Sequence, residues 1–329
     1  MASTSREESP ISAVPAPDPL GRAPLAYENA PFLNSPDARI IRILSEYSEP
    51  LARFRRERIQ DTVVFFGSAR FRALDEAHKQ LELLANTGSL QAAPIEEQPA
   101  SDADIDEGDT SELRLRRAEA AVEMSRYYED ARRLAFLLTQ WSRGIKSRRH
   151  RFVVTSGGGP GIMEAANRGA YEAGGKTIGL NIRLPFEQSP NPYVTPSLNF
   201  EFHYFFMRKY WFAYMSKALV VFPGGFGTID EMFELLTLGQ THKLNKKMTL
   251  LIYGSSYWKE VLNLDVLVDK GAISPSDRDL LQMVDTPEEA FEMLKAGLTR
   301  NHLEPEAERR ARGSDEEEQL PGPEIAQTF

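Results

Sequence analysis

"RFVVTSGGGPGIMEAANRGAYEAGG", residues 151–175, decides the fold. An apolar run (Phe152, Val153, Val154) leads into four glycines set around a proline. An amphipathic pattern follows, and Gly174 and Gly175 stop it. The order is strand, turn, helix, stop. It recurs along the chain. "DTVVFFGSA" (61–69) is a short buried run closing on Gly-Ser, followed by a helical pattern from Leu74 to about Ala85. "KTIGLNI" (176–182) reads as a strand, "LNFEFHYF" (198–205) as extended and "FMRKYWFAYMSK" (206–217) as helical. "ALVVFPGGFGTIDEMFE" (218–234) repeats the strand, glycine turn and helix, and "MTLLIYG" (248–254) is a further apolar strand. "TPEEAFEMLKAGL" (286–298) opens on a capping signal and closes the fold as a helix. Apolar, β-branched runs alternating with helices predict an α/β fold: a doubly wound, mostly parallel, Rossmann-like sheet in a single domain. Ligands of such sheets bind beyond the carboxyl ends of the strands.

The expected organisation is a disordered arm over 1–36, rich in Pro, Ser and Ala, and a domain over 37–300 that begins with a helix over 37–58. Residues 86–112 read as an acidic flexible insertion, followed by a long helix over about 113–142. Residues 301–329 read as an acidic disordered tail.

Composition narrows the chemistry. The 329 residues contain no cysteine, which excludes disulfides, cysteine nucleophiles, thiolate zinc sites and iron–sulfur clusters. The formal charge of −9 argues against a nucleic-acid partner. The basic clusters "RFRRER" (53–58) and "KSRRHR" (146–151) read as solvated surface. No uncharged apolar run approaches the ~20 residues of a membrane span. "MASTSREESPISAVPAPDP" has no apolar signal-peptide core, so the expected location is cytoplasmic.

Three glycine turns fall at strand ends: "GSA" (67–69), "SGGGPG" (156–161) and "PGGFG" (223–227). Glycine lets a ligand approach the backbone, and a helix starting just after the turn offers free N–H groups to an anion. Gly157, Gly158, Gly159 and Gly161 precede one such helix; Gly224, Gly225 and Gly227 precede another, expected from about Thr228. The hydroxyls of Ser68 and Thr228 could add donors. Neither turn is a Walker loop, and "GGGPGIM" misses the dinucleotide spacing. A single-phosphate ligand such as a nucleoside monophosphate fits better than NAD or ATP.

Glu231 admits two readings. T-x-x-E is a capping-box pattern in which Glu231 reaches back to the helix N-terminus. Alternatively, Glu231 faces the cleft. Arg208, in the very aromatic "HYFFMRKYWFAYM" (203–215), is either a snorkelling side chain or a cleft residue paired with phosphate, ribose or Glu231. "PGGFGTIDE" matches P-G-G-x-G-T-x-x-E, and Arg208-Lys209 stands a short strand upstream, after the "GSA" and "GGGPGIM" turns. With these motifs the chain resembles the Lonely Guy (LOG) family of nucleoside-monophosphate phosphoribohydrolases, long mislabelled lysine decarboxylases.

The resemblance covers about residues 61–298, apart from the acidic insertion. It implies hydrolysis of the N-glycosidic bond of a nucleoside 5′-monophosphate to free base and ribose 5-phosphate, chemistry that needs no metal and no cofactor. It also implies catalytic roles for Glu231 and Arg208, and phosphate binding by Gly224, Gly225, Gly227 and Thr228. Plant-type members read M-H-E-R-K-x-x-M where this chain has Phe206 and Met207 in place of the histidine and the acid. Both AMP-like and cytokinin nucleotides therefore stay open as substrates. Glu187, in the Pro-rich loop, either reaches the site or lies on the surface. A homodimer is expected, from the aromatic helix and from the family pattern. The alternative to an enzyme is a nucleotide or cofactor carrier of the same fold.

Overall fold

The computed structural model describes residues 22–87, 111–185, 189–241, 243 and 246–304. The rest of the expected arm (1–21), insertion (88–110) and tail (305–329), together with Glu187, lies outside the described residues. Contacts divide the chain into two units, 1–44 and 45–329.

In the first unit, the described part of the expected disordered arm is ordered into short helical turns: Ala26–Glu28, α1 (Ala30–Leu33) and Pro36–Ala38. Local polar bonds hold these turns. Asn29 caps α1 by accepting from Phe32 N at 3.2 Å, and Ser35 Oγ donates to Phe32 O at 2.7 Å. Pro31 and Pro36 sit at the first positions of their turns, where the missing N–H costs nothing. Helix α2 (Arg39–Arg56) follows.

The second unit holds a seven-stranded, fully parallel sheet: β1 (Thr62–Phe66), β2 (Val153–Ser156), β3 (Thr177–Ile182), β4 (Asn199–Phe202), β5 (Ser216–Val221), β6 (Thr249–Tyr253) and β7 (Gln282–Val284). Between them run α3 (Leu74–Thr87), α4 (Ser111–Arg143), α5 (Ile162–Glu172), α6 (Phe205–Met215), α7 (Phe226–Gln240), α8 (Ser255–Val261), α9 (Leu264–Asp269) and, last, α10 (Pro287–Leu298). The strand order is β4-β3-β2-β1-β5-β6-β7. The chain winds outward from β1 to β4, then returns to the other side of β1 as β5. The order therefore reverses between β1 and β5, the switch point where doubly wound sheets bind ligands.

Alternate residues of each strand feed two helical layers. Val63, Phe65, Val154, Val220 and Leu251 pack with Leu134 and Leu138 of α4, Ile162 and Ala166 of α5 and Leu294 of α10. On the opposite face Phe66 meets Phe212 of α6 edge-on at 4.9 Å, and Phe54 of α2 packs at 5.3 Å from Trp211. Burial on both faces explains why the strands read as continuous apolar runs instead of alternating ones. The three-residue edge strand β7 has no such run and is not legible in the sequence.

One basic cluster departs from the surface reading. Arg151 is buried and paired with buried Asp61, Nη2 to Oδ2 at 2.8 Å, and Asp61 also accepts from Phe152 N at 2.6 Å. A buried guanidinium is tolerated because a hydrogen-bonded carboxylate partner is at hand. The helix read over 286–298 is present, with Thr286 accepting from Glu289 N at 3.3 Å. A π-helical turn, Thr299–Leu303, carries the fold into the residues read as tail. No helix among the described residues is long and apolar enough to cross a membrane.

Candidate active site

The three glycine turns meet at the switch point. Phe222 N donates to Phe66 O at 2.8 Å, Ser68 N to Pro223 O at 3.0 Å, and Ile162 N to Ser68 O at 3.0 Å. The peptide groups of Ser68 thus tie the "GSA" turn to both other turns. Ser68 Oγ accepts from Arg70 N at 3.1 Å, which leaves its own hydrogen to donate.

The two glycine-rich turns turn out to be different in kind. In the first, Gly158 and Gly159 are buried and their carbonyls are engaged. Asn191 Nδ2 reaches both, at 3.0 Å each, and Asn167 Oδ1 at 2.9 Å. Ser156 Oγ donates to Asn167 Oδ1 at 2.7 Å and accepts from Gly158 N at 3.0 Å. Gly158 and Gly161 take φ of 76° and 70°, which favours glycine. A Cβ on Gly161 would collide with Ser68 O. This turn is a braced platform. Sequence reasoning missed the bracing residues; Asn191 between two prolines was their one visible trace.

The second turn is open. Gly224 is buried, and a Cβ there would run into Thr228 Oγ1. Gly225, Phe226 and Gly227 are exposed, and a Cβ on Gly225 or Gly227 would meet nothing within 4 Å. Helix α7 begins at Phe226, two residues earlier than expected, with Gly225 as its N-cap. Its first helical bond to the cap is Ile229 N to Gly225 O at 3.0 Å. The amides of Phe226, Gly227 and Thr228 are those that a helix start leaves without helical acceptors. Tyr257 of α8 braces the turn from behind, its hydroxyl donating to Gly224 O at 3.0 Å.

The early start of α7 decides between the two readings of Glu231. Thr228 is the third helical residue and not the cap, so T-x-x-E forms no capping box here. Glu231 reaches α6 instead: Arg208 Nη2 donates to its Oε1 at 2.7 Å, with both side chains 13% exposed. The guanidinium lies 5.3 Å from the Phe205 ring centroid and 5.7 Å from that of Phe212. Arg208 Nε is buried without a hydrogen-bond partner among the described residues. Asp230 and Glu234 flank Glu231 on α7 and both pair with Lys209, at 2.8 and 2.9 Å. Burial pushes the Glu231 carboxyl up to about 7; Arg208 and Lys209 pull it down, Asp230 and Glu234 push it further up. Among the described residues no group of three His, Asp or Glu side chains is placed to hold a metal ion.

The Rossmann-like sheet thus carries at its switch point a braced turn, an open helix start and a partly buried carboxylate–guanidinium pair. Comparison with known proteins is more specific. A family profile described as "Possible lysine decarboxylase" matches residues 163–294, which include Arg208, the open turn and Glu231. A probable cytokinin riboside 5′-monophosphate phosphoribohydrolase of Oryza sativa subsp. japonica is 29% identical over 146 residues, 44% of this chain and 57% of that one. A cytokinin riboside 5′-monophosphate phosphoribohydrolase of Arabidopsis thaliana is 27% identical over 145 residues, 44% of this chain and 66% of that one. The chain therefore spans less than two thirds of the length of these relatives.

Similar solved structures include a molybdenum cofactor binding protein from Rippkaea orientalis (19% identity, 52% of this chain and 86% of that one, TM-score 0.38). A second is a molybdenum cofactor carrier protein from Chlamydomonas reinhardtii (20% identity, 53% and 89%, TM-score 0.36). The family profile and the curated relatives agree with the resemblance of this chain's motifs to the Lonely Guy family.

Proposed function

We propose that the chain hydrolyses the N-glycosidic bond of nucleoside 5′-monophosphates, releasing free base and ribose 5-phosphate. The observation that carries this reading is the partly buried Arg208–Glu231 pair, set one turn along the helix from open amides. Glu231 stands five residues after Phe226, about 7.5 Å along the axis. The 5′-phosphate binds at the amides of Phe226, Gly227 and Thr228, with Ser68 as a further donor, and the ribose lies towards Glu231. As the bond between C1′ and the base nitrogen breaks, its electron pair leaves with the base and positive charge grows on the sugar. Ionised Glu231 stabilises that charge or takes the proton of the water that attacks C1′. Arg208 fixes the carboxylate.

Decarboxylation through a Schiff base fits the site poorly, because it needs a lysine that sheds its proton. Burial works against the Lys209 charge, but Asp230 and Glu234 outweigh it and hold its pKa above the usual lysine value. Lys176 pairs with Glu57 at 2.8 Å, away from the turn.

Three expected results test the reading. A nucleoside 5′-monophosphate releases base while its unphosphorylated nucleoside does not; equal rates for the two would remove the phosphate turn from the account. The kcat/KM of the reaction rises with pH through about 7, because the raised Glu231 pKa delays formation of the ionised carboxylate to that range. A flat profile between pH 5.5 and 8 would contradict that role. Tyr257→Phe removes the hydroxyl that braces Gly224 and raises KM about fivefold, the equivalent of one hydrogen bond of about 1 kcal/mol, with little change in kcat.

The homodimer reading is supported by side chains left uncovered in one copy: Phe205, Phe206 and Phe226 are 52%, 54% and 94% exposed. Light scattering at micromolar concentration gives twice the chain mass if it holds.

A further inference from the structure

Helix α7 carries three carboxylates within five residues: Asp230, Glu231 and Glu234. Only the middle one faces Arg208. Three negative charges on little more than one turn of a helix repel one another. The cost falls most heavily on the least exposed of them, Glu231, because water screens the others better. Asp230 and Glu234 are 62% and 37% exposed, against 13% for Glu231. The neighbour of Arg208 on α6 meets this problem. Lys209, 19% exposed, places its Nζ between the two flanking carboxylates, at 2.8 and 2.9 Å. Two adjacent cations on α6 thus answer three acids on α7, one cation to the inner carboxylate and one to the outer pair.

We propose that Lys209 is a positioning residue of the site: its clamp on Asp230 and Glu234 shields Glu231 from their charge and so sets the pH range in which Glu231 is ionised. The proposal deepens the hydrolase reading and rests on it for its kinetic arm. Neither flanking acid touches the pair that would face substrate, so Lys209 acts through Glu231 and not on the ligand. The charged groups acting on Glu231 are Arg208 and Lys209 from α6 and Asp230 and Glu234 from α7, and the two cations oppose the two acids. Removing Lys209 leaves both acids uncompensated beside a partly buried carboxyl.

The test uses the full chain with Lys209→Met, Lys209→Arg, and Lys209→Met combined with Asp230→Asn and Glu234→Gln. Two readouts are taken. One is the titration of the Glu231 carboxyl by ¹³C NMR, with its signal assigned by its loss in Glu231→Gln. The other is the pH profile of kcat/KM for AMP.

Lys209→Met moves both the titration and the acid limb upward by about one pH unit, for charges acting across a few ångströms of partly buried protein. That shift lowers the rate at pH 7 about fivefold. Lys209→Arg keeps the wild-type midpoint, and the triple variant returns to it or below it. The phosphate of the substrate titrates alike in every variant, so the difference between profiles belongs to Glu231.

A Lys209 that merely ties α6 to α7 would lower kcat at every pH and leave both midpoints in place; that result overturns the proposal. If Lys209→Met does not fold, Asp230→Asn with Glu234→Gln in the wild-type background lowers the midpoint, and an unmoved midpoint overturns it equally. Absence of turnover in the wild type would sink the hydrolase reading, while the carboxyl titration would still decide the role of Lys209.

Discussion

Glu231→Gln lowers kcat for base release by at least about a hundredfold, and nucleotide binding survives. The substitution keeps the size and the acceptor oxygen that Arg208 Nη2 reaches at 2.7 Å, so the contact between α6 and α7 persists. What it removes is the negative charge beside the growing oxocarbenium ion. Deleting one such preorganised group costs about 2.7–4 kcal/mol of transition-state stabilisation elsewhere. In the proposed reading the phosphate is held by backbone amides at the start of α7, which the substitution leaves alone, so the dissociation constant for AMP changes little. Steady-state kinetics and calorimetry separate the two quantities. A rate within a few-fold of wild type would reduce Glu231 to a structural partner of Arg208.

Arg208→Met has an effect of similar size on the rate but with a different signature. It leaves Glu231 in a partly buried site without its cation. A carboxyl in that position protonates in preference to remaining charged and unpaired. Glu231 already titrates near 7 with Arg208 in place, because burial dominates, and loss of the guanidinium raises it further. Activity at pH 7 therefore falls about a hundredfold, and part of it returns by pH 9 as Glu231 ionises.

Stability depends on pH with the opposite sign. A carboxyl whose folded pKa is raised above its unfolded value leaves stability intact below the unfolded pKa and loses it as pH rises through the folded one. The destabilisation by Arg208→Met is thus smaller at pH 5 than at pH 8. Denaturant titrations at the two values test this. A loss equal at both would mean that Arg208 stabilises by packing against Phe205 and Phe212 alone.

Much of the frame is legible in the sequence, and the reasons are local. A strand buried on both faces shows itself as an unbroken apolar run, and a glycine turn after it has few other uses. The pairing of Arg208 with Glu231 is readable only as one option beside a snorkelling side chain, a phosphate or a ribose, because a guanidinium on an apolar helix is costly to bury unpaired. Other features depend on how elements cross in space. Nothing in "PGGFGTIDE" marks Phe226 as the first helical residue, since a glycine-rich turn and a helical first turn share composition. The clamp of Lys209 depends on the registration of α6 against α7. The bracing of the first glycine turn by Asn191 comes from a loop more than thirty residues downstream of Gly158, by the sequence numbering. Arg151 looks like one more surface cation until the fold brings Asp61 to it across ninety residues.

The measurement that tests the central claim most directly is incubation of the purified chain with a panel of purine, pyrimidine and cytokinin nucleoside 5′-monophosphates, with chromatographic quantification of free base and ribose 5-phosphate. The account predicts equimolar release of both products from at least one nucleotide by the wild type and none above background by Glu231→Gln. Tight nucleotide binding without release from any member of the panel would contradict it and make the chain a carrier.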